Sequence, residues 1–227
     1  MAGARPLSGP EQAQLLAAIG SSRNRLLVLA GIFLGFRIGE LLSLRISDVW
    51  TVERGPRREV TVSRRRLKGG QGTRRGRICS RTVPVHPLLA AAVQDHVVRT
   101  YAGRSPAPNR FLFPSRKGSG PISRVQAHRI VKAAAIRSCE PTRISTHSFR
   151  KTFARSVYEL SGHDLPLTQR ALGHRAIDTT IKYLESTPDA VRSIIFRMPG
   201  PSAFLDQPPV PAAAEISQDT IPRRASM

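Results

Sequence analysis

The chain has 227 residues, enough for one large domain or two small ones, and its 40% hydrophobic content is enough for a core. A net charge of +21 and a pI near 11.7 lie far from those of an ordinary metabolic enzyme and point to a polyanionic partner, nucleic acid before an anionic membrane. A GC-rich genome favouring arginine would raise the charge too, but would spread it. The longest apolar run, residues 26–36, is about half of the ~20 residues a membrane span needs, and no apolar centre follows Met1. Cys79 and Cys139 form neither a disulfide framework nor a zinc motif, consistent with a reducing cytoplasm.

In chain order, Ser8-Gly9-Pro10-Glu11 reads as a capping box with proline in the first turn, opening a helix to about Ile19. A second helix begins near Arg23. It is apolar on all sides through Leu34, which predicts a central buried helix stopped at Gly35. Ile38, Leu41, Leu42 and Ile46 predict one third helix, ending at Ser47-Asp48. The period then changes. Strands are expected at Val49–Val52, Val60–Val62 and Arg81–Val85, with Arg54-Gly55-Pro56 as a turn.

Between the last two strands runs a glycine-rich basic stretch, which reads as a hairpin loop. From Glu53 to Arg81 there are eleven Lys/Arg against two acids, so the charge is concentrated in a finger. Its arginines, Arg64, Arg65, Arg66, Arg74, Arg75 and Arg77, are candidate DNA contacts.

Pro87 opens a helix to about Tyr101, and residues 111–114 form a short buried piece. Ser123 to Gln126 begins another helix. Ser145 or Thr146 caps the one carrying His147, Arg150 and Phe153. A helix from Pro166 ends at Gly173, the next carries Tyr183, and a last one is expected over residues 188–197. The proline- and alanine-rich segment 199–227 reads as a flexible tail. The expected class is mainly α with a small antiparallel β-sheet (α+β): one domain over residues 1–198, then the tail.

Five pieces fall in a telling order: Gly35-Phe36-Arg37-Ile38-Gly39-Glu40-Leu41, Lys68-Gly69-Gly70 leading to Arg81-Thr82-Val83-Pro84, His147-Ser148-Phe149-Arg150, Leu172-Gly173-His174, and Tyr183 nine positions after His174. Each alone is weak. Together, over about residues 7–195, they resemble the catalytic domain of the tyrosine recombinase (phage integrase) family, with its DNA breaking-rejoining fold. Because Arg37 lies so near Met1, the separate N-terminal core-binding domain of most members is not expected here. It resembles the short, catalytic-domain-only type, such as the fimbrial-switch invertases.

Phosphodiester cleavage by direct attack builds negative charge on a five-coordinate phosphorus, and planar arginine forks suit its oxygens. Arg37 and Arg150 are the expected clamp. Glu40, one turn after Arg37, either orients that guanidinium or a neighbouring histidine, or forms an ordinary helix-surface salt bridge. His174 is expected to donate to a non-bridging oxygen. The resemblance implies that Tyr183 is the nucleophile, that His147 assists proton transfer involving it, and that Lys68 protonates the leaving 5′-oxygen. It implies neither metal nor other cofactor.

The implied function is site-specific DNA recombination (integration, excision or inversion) through a 3′-phosphotyrosine. The alternatives are type IB topoisomerase-like relaxation or a catalytically silent DNA-binding remnant. The partners implied are double-stranded recombination sites, a homotetramer on DNA and, at some sites, an accessory DNA-bending protein. The setting is a cytoplasmic, nucleoid-associated protein of a bacterium or mobile element. Residues 188–196 would dock on a neighbouring subunit or pack in cis.

Overall fold

One helix sits at the centre because its sequence has no polar face to give to water. In the computed structural model, which describes residues 3–67, 79–102, 104–116, 118–138, 141–174 and 180–181, this is α2 (Ser22–Leu34). Leu26, Leu27, Ala30 and Leu34 enter one apolar cluster, while Val28 and Ile32 enter a second on the other side. Each fully buried aliphatic side chain contributes roughly 1.5–3 kcal/mol of transfer free energy, so α2 anchors both halves of the core. Ahead of it, α1 (Gly9–Ala17) starts at the expected box, with Ser8 and Glu11 capping each other.

The single third helix expected over Ile38–Asp48 is instead two short ones, α3 (Ile38–Leu42) and α4 (Ile46–Val49). The break is tertiary in origin. Leu44 and Arg45 are drawn into strand-like pairing with residues 111–112: Leu112 N donates to Leu44 O at 2.8 Å and Ile46 N donates to Arg110 O at 2.9 Å. These long-range bonds replace helical ones that local periodicity would have favoured.

The strands also differ from expectation. Gly55-Pro56 is not the turn but strand β2, pairing antiparallel with β1 (Trp50–Thr51). A separate ladder joins β3 (Glu59–Val62) to β4 (Arg81–Pro84), with Val60 opposite Val83 and Val62 opposite Arg81. The described strands thus form two small antiparallel sheets. Period-2 alternation puts Val60, Val62 and Val83 into the core.

The remaining helices follow the sequence closely: α5 (Pro87–Tyr101), α6 (Arg124–Ser138), α7 (Thr146–Leu160) and α8 (Leu165–Leu172). Ser145 caps α7 and Asp164 caps α8. The α2 helix packs on α5 and α7, and α7 on α8. The contact of α2 with α7 is close because α2 offers glycines there. A Cβ on Gly31 would lie 2.6 Å from Phe149, and one on Gly35 would lie 2.3 Å from Phe153. Two aromatic residues one turn apart on α7 therefore rest on two glycines one turn apart on α2, which places Arg150 against the end of α2. Among the described residues no helix is long and apolar enough to cross a membrane.

Candidate active site

The site is assembled at two helix C-termini. Both α2 and α8 end at a left-handed glycine, Gly35 (φ 57°) and Gly173 (φ 62°). Such ends leave carbonyls without helical partners and carry partial negative charge. Two guanidinium groups take up these carbonyls. Arg150, only 1% exposed, donates through Nη1 to Gly35 O and through Nη2 to Leu172 O at 2.7 Å. Arg81 donates through Nη2 to Leu34 O (2.9 Å) and Ala171 O (2.5 Å), and through Nη1 to Gly35 O (3.3 Å). Two cations are thereby held near one another by main-chain carbonyls of the same two helix ends.

Arg37 follows directly from the Gly35 stop, at the N-terminus of α3. Glu40 is buried one turn later. Its carboxylate accepts from the Arg37 backbone N–H at 2.8 Å and from Arg37 Nη1 at 3.2 Å. The Arg37 side chain stays 34% exposed, so Glu40 holds one edge of a guanidinium that still faces solvent.

His174 follows Gly173 and is 7% exposed. Its backbone N–H donates to Gln169 O, and its Nδ1 lies 3.0 Å from Thr180 Oγ1. Burial first, then the charges of Arg150, Arg37 and Arg81, push its pKa down to about 3, so the imidazole is neutral at physiological pH. In the tautomer in which Thr180 donates to Nδ1, Nε2 carries the proton and can act as donor. His147 sits in the first turn of α7 at the exposed rim. Desolvation and then Arg150, Arg37 and Lys151 lower its pKa.

Burial and then Arg150 push the Arg81 pKa down to about 9, with Arg37 acting in the same direction and Glu40 opposing. The guanidinium is still charged at neutral pH. The cluster therefore joins Arg37, Arg81, Arg150, His147 and His174 in one positive field, which an entering anion would relieve.

Four expected residues, Arg37, Glu40, Arg150 and His174, come together here, and His147 borders them. Lys68, Arg74, Arg75, Arg77 and Tyr183, with the expected last helix and tail, lie outside the described residues. Of the expected DNA contacts, Arg64 and Arg65 are exposed. Arg66 is instead committed to the fold. It pairs with both carboxylate oxygens of Asp48 (2.5 and 2.9 Å) and donates to Ser43 O. That pairing raises its pKa.

Sequence reasoning missed Arg81 and Thr180. The signal for Arg81 was present: on β4 it shares a face with Val83, which points inward. No comparable pattern marks Thr180, which is fully buried beside His174. His86 and His96 prove structural. His86 caps α5 and stacks on Phe33, and buried His96 lies within hydrogen-bonding distance of Ser22 and Thr100. Among the described residues no group of His, Cys, Asp and Glu could hold a metal ion.

The chain is 31% identical to the tyrosine recombinase XerD of Corynebacterium glutamicum over 172 residues, 76% of this chain but 51% of that protein. It is 32% identical to the type 1 fimbriae regulatory protein FimE of Escherichia coli K12 over 80% of this chain and 86% of the relative. Among solved structures, XerA recombinase matches with a TM-score of 0.66 at 23% identity, covering 88% of this chain and 67% of the other, a likeness of fold. The chain thus spans about half the length of XerD and most of FimE. The family model described as phage integrase family matches residues 7–189, a stretch that includes both helix ends, the basic finger and Tyr183, and the chain belongs to that family, the tyrosine recombinases.

Proposed function

We propose that this protein is a site-specific DNA strand transferase that cuts and rejoins DNA through a 3′-phosphotyrosine. The observation that carries the proposal is the arginine-rich cradle at the two helix ends, with a neutral histidine buried in it and the Glu40 carboxylate engaged with Arg37. Such a site is built for charge that develops on phosphate oxygens. Tyr183 Oη attacks the scissile phosphorus, forming the Oη–P bond as the P–O5′ bond breaks. His147 takes up the tyrosine proton and Lys68 supplies one to the departing 5′-oxygen. Arg37, Arg150 and His174 hold the non-bridging oxygens. A 5′-hydroxyl of the partner strand then reverses the chemistry, so the phosphodiester is rebuilt without ATP.

Recombination is favoured over simple relaxation because the relatives are recombinases. Solved neighbours include XerH bound to its difH substrate and the Tn1549 integrase with transposon-end DNA. We assign this chain duplex recombination sites as substrate, a homotetramer on paired sites, an accessory DNA-bending protein at some of them, and a cytoplasmic setting. Residues 1–198 act as the catalytic domain and 199–227 as a tail.

The test is covalent capture on nicked duplexes from a randomised pool, followed by a paired-site assay on the selected sequence. Wild type should give a protein–DNA adduct and recombinant product. Absence of any adduct would contradict strand-transferase chemistry, and relaxation without recombinants would contradict recombination.

A further inference from the structure

We propose that Arg81 is a positioning residue that sets the separation of the α2 and α8 ends and, through them, the geometry of the phosphate cradle. The inference rests on the reading of that cradle as a phosphodiester site. Every hydrogen bond of Arg81 seen in the structure goes to main-chain carbonyl groups: Leu34 and Gly35 at the end of α2, and Ala171 at the end of α8. The fork is held from both sides, with its Cζ 4.7 Å from the Phe36 ring centroid and 5.8 Å from that of Phe153. Behind it, Gly173 leaves room for the stem, since a Cβ there would come within 3.1 Å of Arg81 Cδ.

These anchor points are the neighbours of the cradle's own. Gly35 O is shared with Arg150, and Ala171 precedes Leu172, whose carbonyl is the other acceptor of Arg150. Arg37 lies two residues after Gly35 and His174 three after Ala171. A shift between the helix ends would therefore displace all three cradle residues together. A misplacement of about 1 Å in such a site can cost 10²-fold in rate. Arg81 also opens β4 opposite Val62, so it links the β3–β4 ladder to the same two helix ends. A planar fork can span three carbonyls on two elements, whereas a lysine ammonium cannot hold all three in the same directions.

The experiment compares wild type, Arg81→Met and Arg81→Lys as full chains, in single-turnover covalent capture at saturating nicked duplex. The duplex is one selected from a randomised pool by wild-type capture. It is made twice, with an ordinary scissile phosphate and with a methylphosphonate that lacks the charged non-bridging oxygen. Arg81→Met should slow capture about 10²-fold on the phosphate, with DNA affinity changed less than about threefold. Arg81→Lys should recover about tenfold of that loss. On the methylphosphonate, where the clamp has less charge to hold, the penalty of either variant should shrink to within about threefold.

Equal rates for wild type and Arg81→Met on the phosphate would overturn the proposal. So would the same penalty on both substrates, the mark of a merely structural residue. If Arg81→Met does not fold, Arg81→Lys carries the same phosphate-against-methylphosphonate comparison. Failure of wild type itself to form any adduct would sink the phosphodiester reading and this inference with it. A wild-type adduct with unaffected variants would sink the inference alone.

Discussion

Lowering the pH should destabilise the protein through His174 by an amount that can be worked out. Its folded pKa is about 3, against 6.5 for the free side chain. Between these values the unfolded chain binds the proton and the folded one does not, so stability is lost as pH falls below about 6.5. From neutral pH to about pH 5, the linkage relation gives a loss of about 2 kcal/mol from this one residue. His147 and His96, also lowered mainly by burial, act in the same direction.

Urea unfolding of wild type and His174→Asn at both pH values isolates the contribution, since asparagine does not titrate. The wild type should lose about 2 kcal/mol more than the variant. Part of the depression comes from Arg150, Arg37 and Arg81, so sulfate seated among them should raise the His174 pKa and shrink this difference. A difference of zero, or a wild type that gains on the variant in acid, would refute the picture of a neutral imidazole buried in a cationic cradle.

Three further outcomes follow from the packing and from the finger. Gly35→Ala should cost about 2–5 kcal/mol in a urea melt, because a left-handed backbone and a Cβ 2.3 Å from Phe153 combine strain with overpacking. Replacing Arg64, Arg74, Arg75 and Arg77 with alanine should flatten the salt dependence of DNA binding by about 0.9 in log–log slope for each phosphate left without its cation. Arg66→Ala should leave that slope unchanged and instead lower stability by about 1–3 kcal/mol, because its guanidinium is spent on Asp48 and Ser43. Titrations of affinity against salt, with parallel melts, separate the two.

Much of this architecture was legible where local chemistry decided it. The Ser8–Glu11 box, the all-round apolar α2, its stop at Gly35 and the second stop at Gly173 all follow from residue type and spacing. The grouping of Arg37, Glu40, Arg150 and His174 was implied instead by the family resemblance, since residues so far apart in the chain are not brought together by local pattern. What escaped was set by distant partners. The break between α3 and α4 depends on bonds from residues 110–112, and the β1–β2 pairing turned Gly55-Pro56 from a turn into a strand. Arg66 looked like one more base of the finger until Asp48, eighteen positions away in sequence, claimed it. Arg81 reads from the sequence as the start of a strand, with no task in the site. Its hydrogen bonds go to carbonyls 46, 47 and 90 positions away, at the ends of α2 and α8, which no local pattern announces.

The most direct test of the central claim is to find where the DNA becomes attached. The protein has three tyrosines, Tyr101, Tyr158 and Tyr183, and trypsin would release the last in the peptide of residues 183–192, after Lys182. Wild type captured on a nicked duplex, digested with trypsin and nuclease and read by mass spectrometry, should carry the nucleotide adduct on that peptide, with Tyr183→Phe yielding none. An adduct on the peptide of Tyr101 or Tyr158, or an undiminished yield from Tyr183→Phe, would contradict the account.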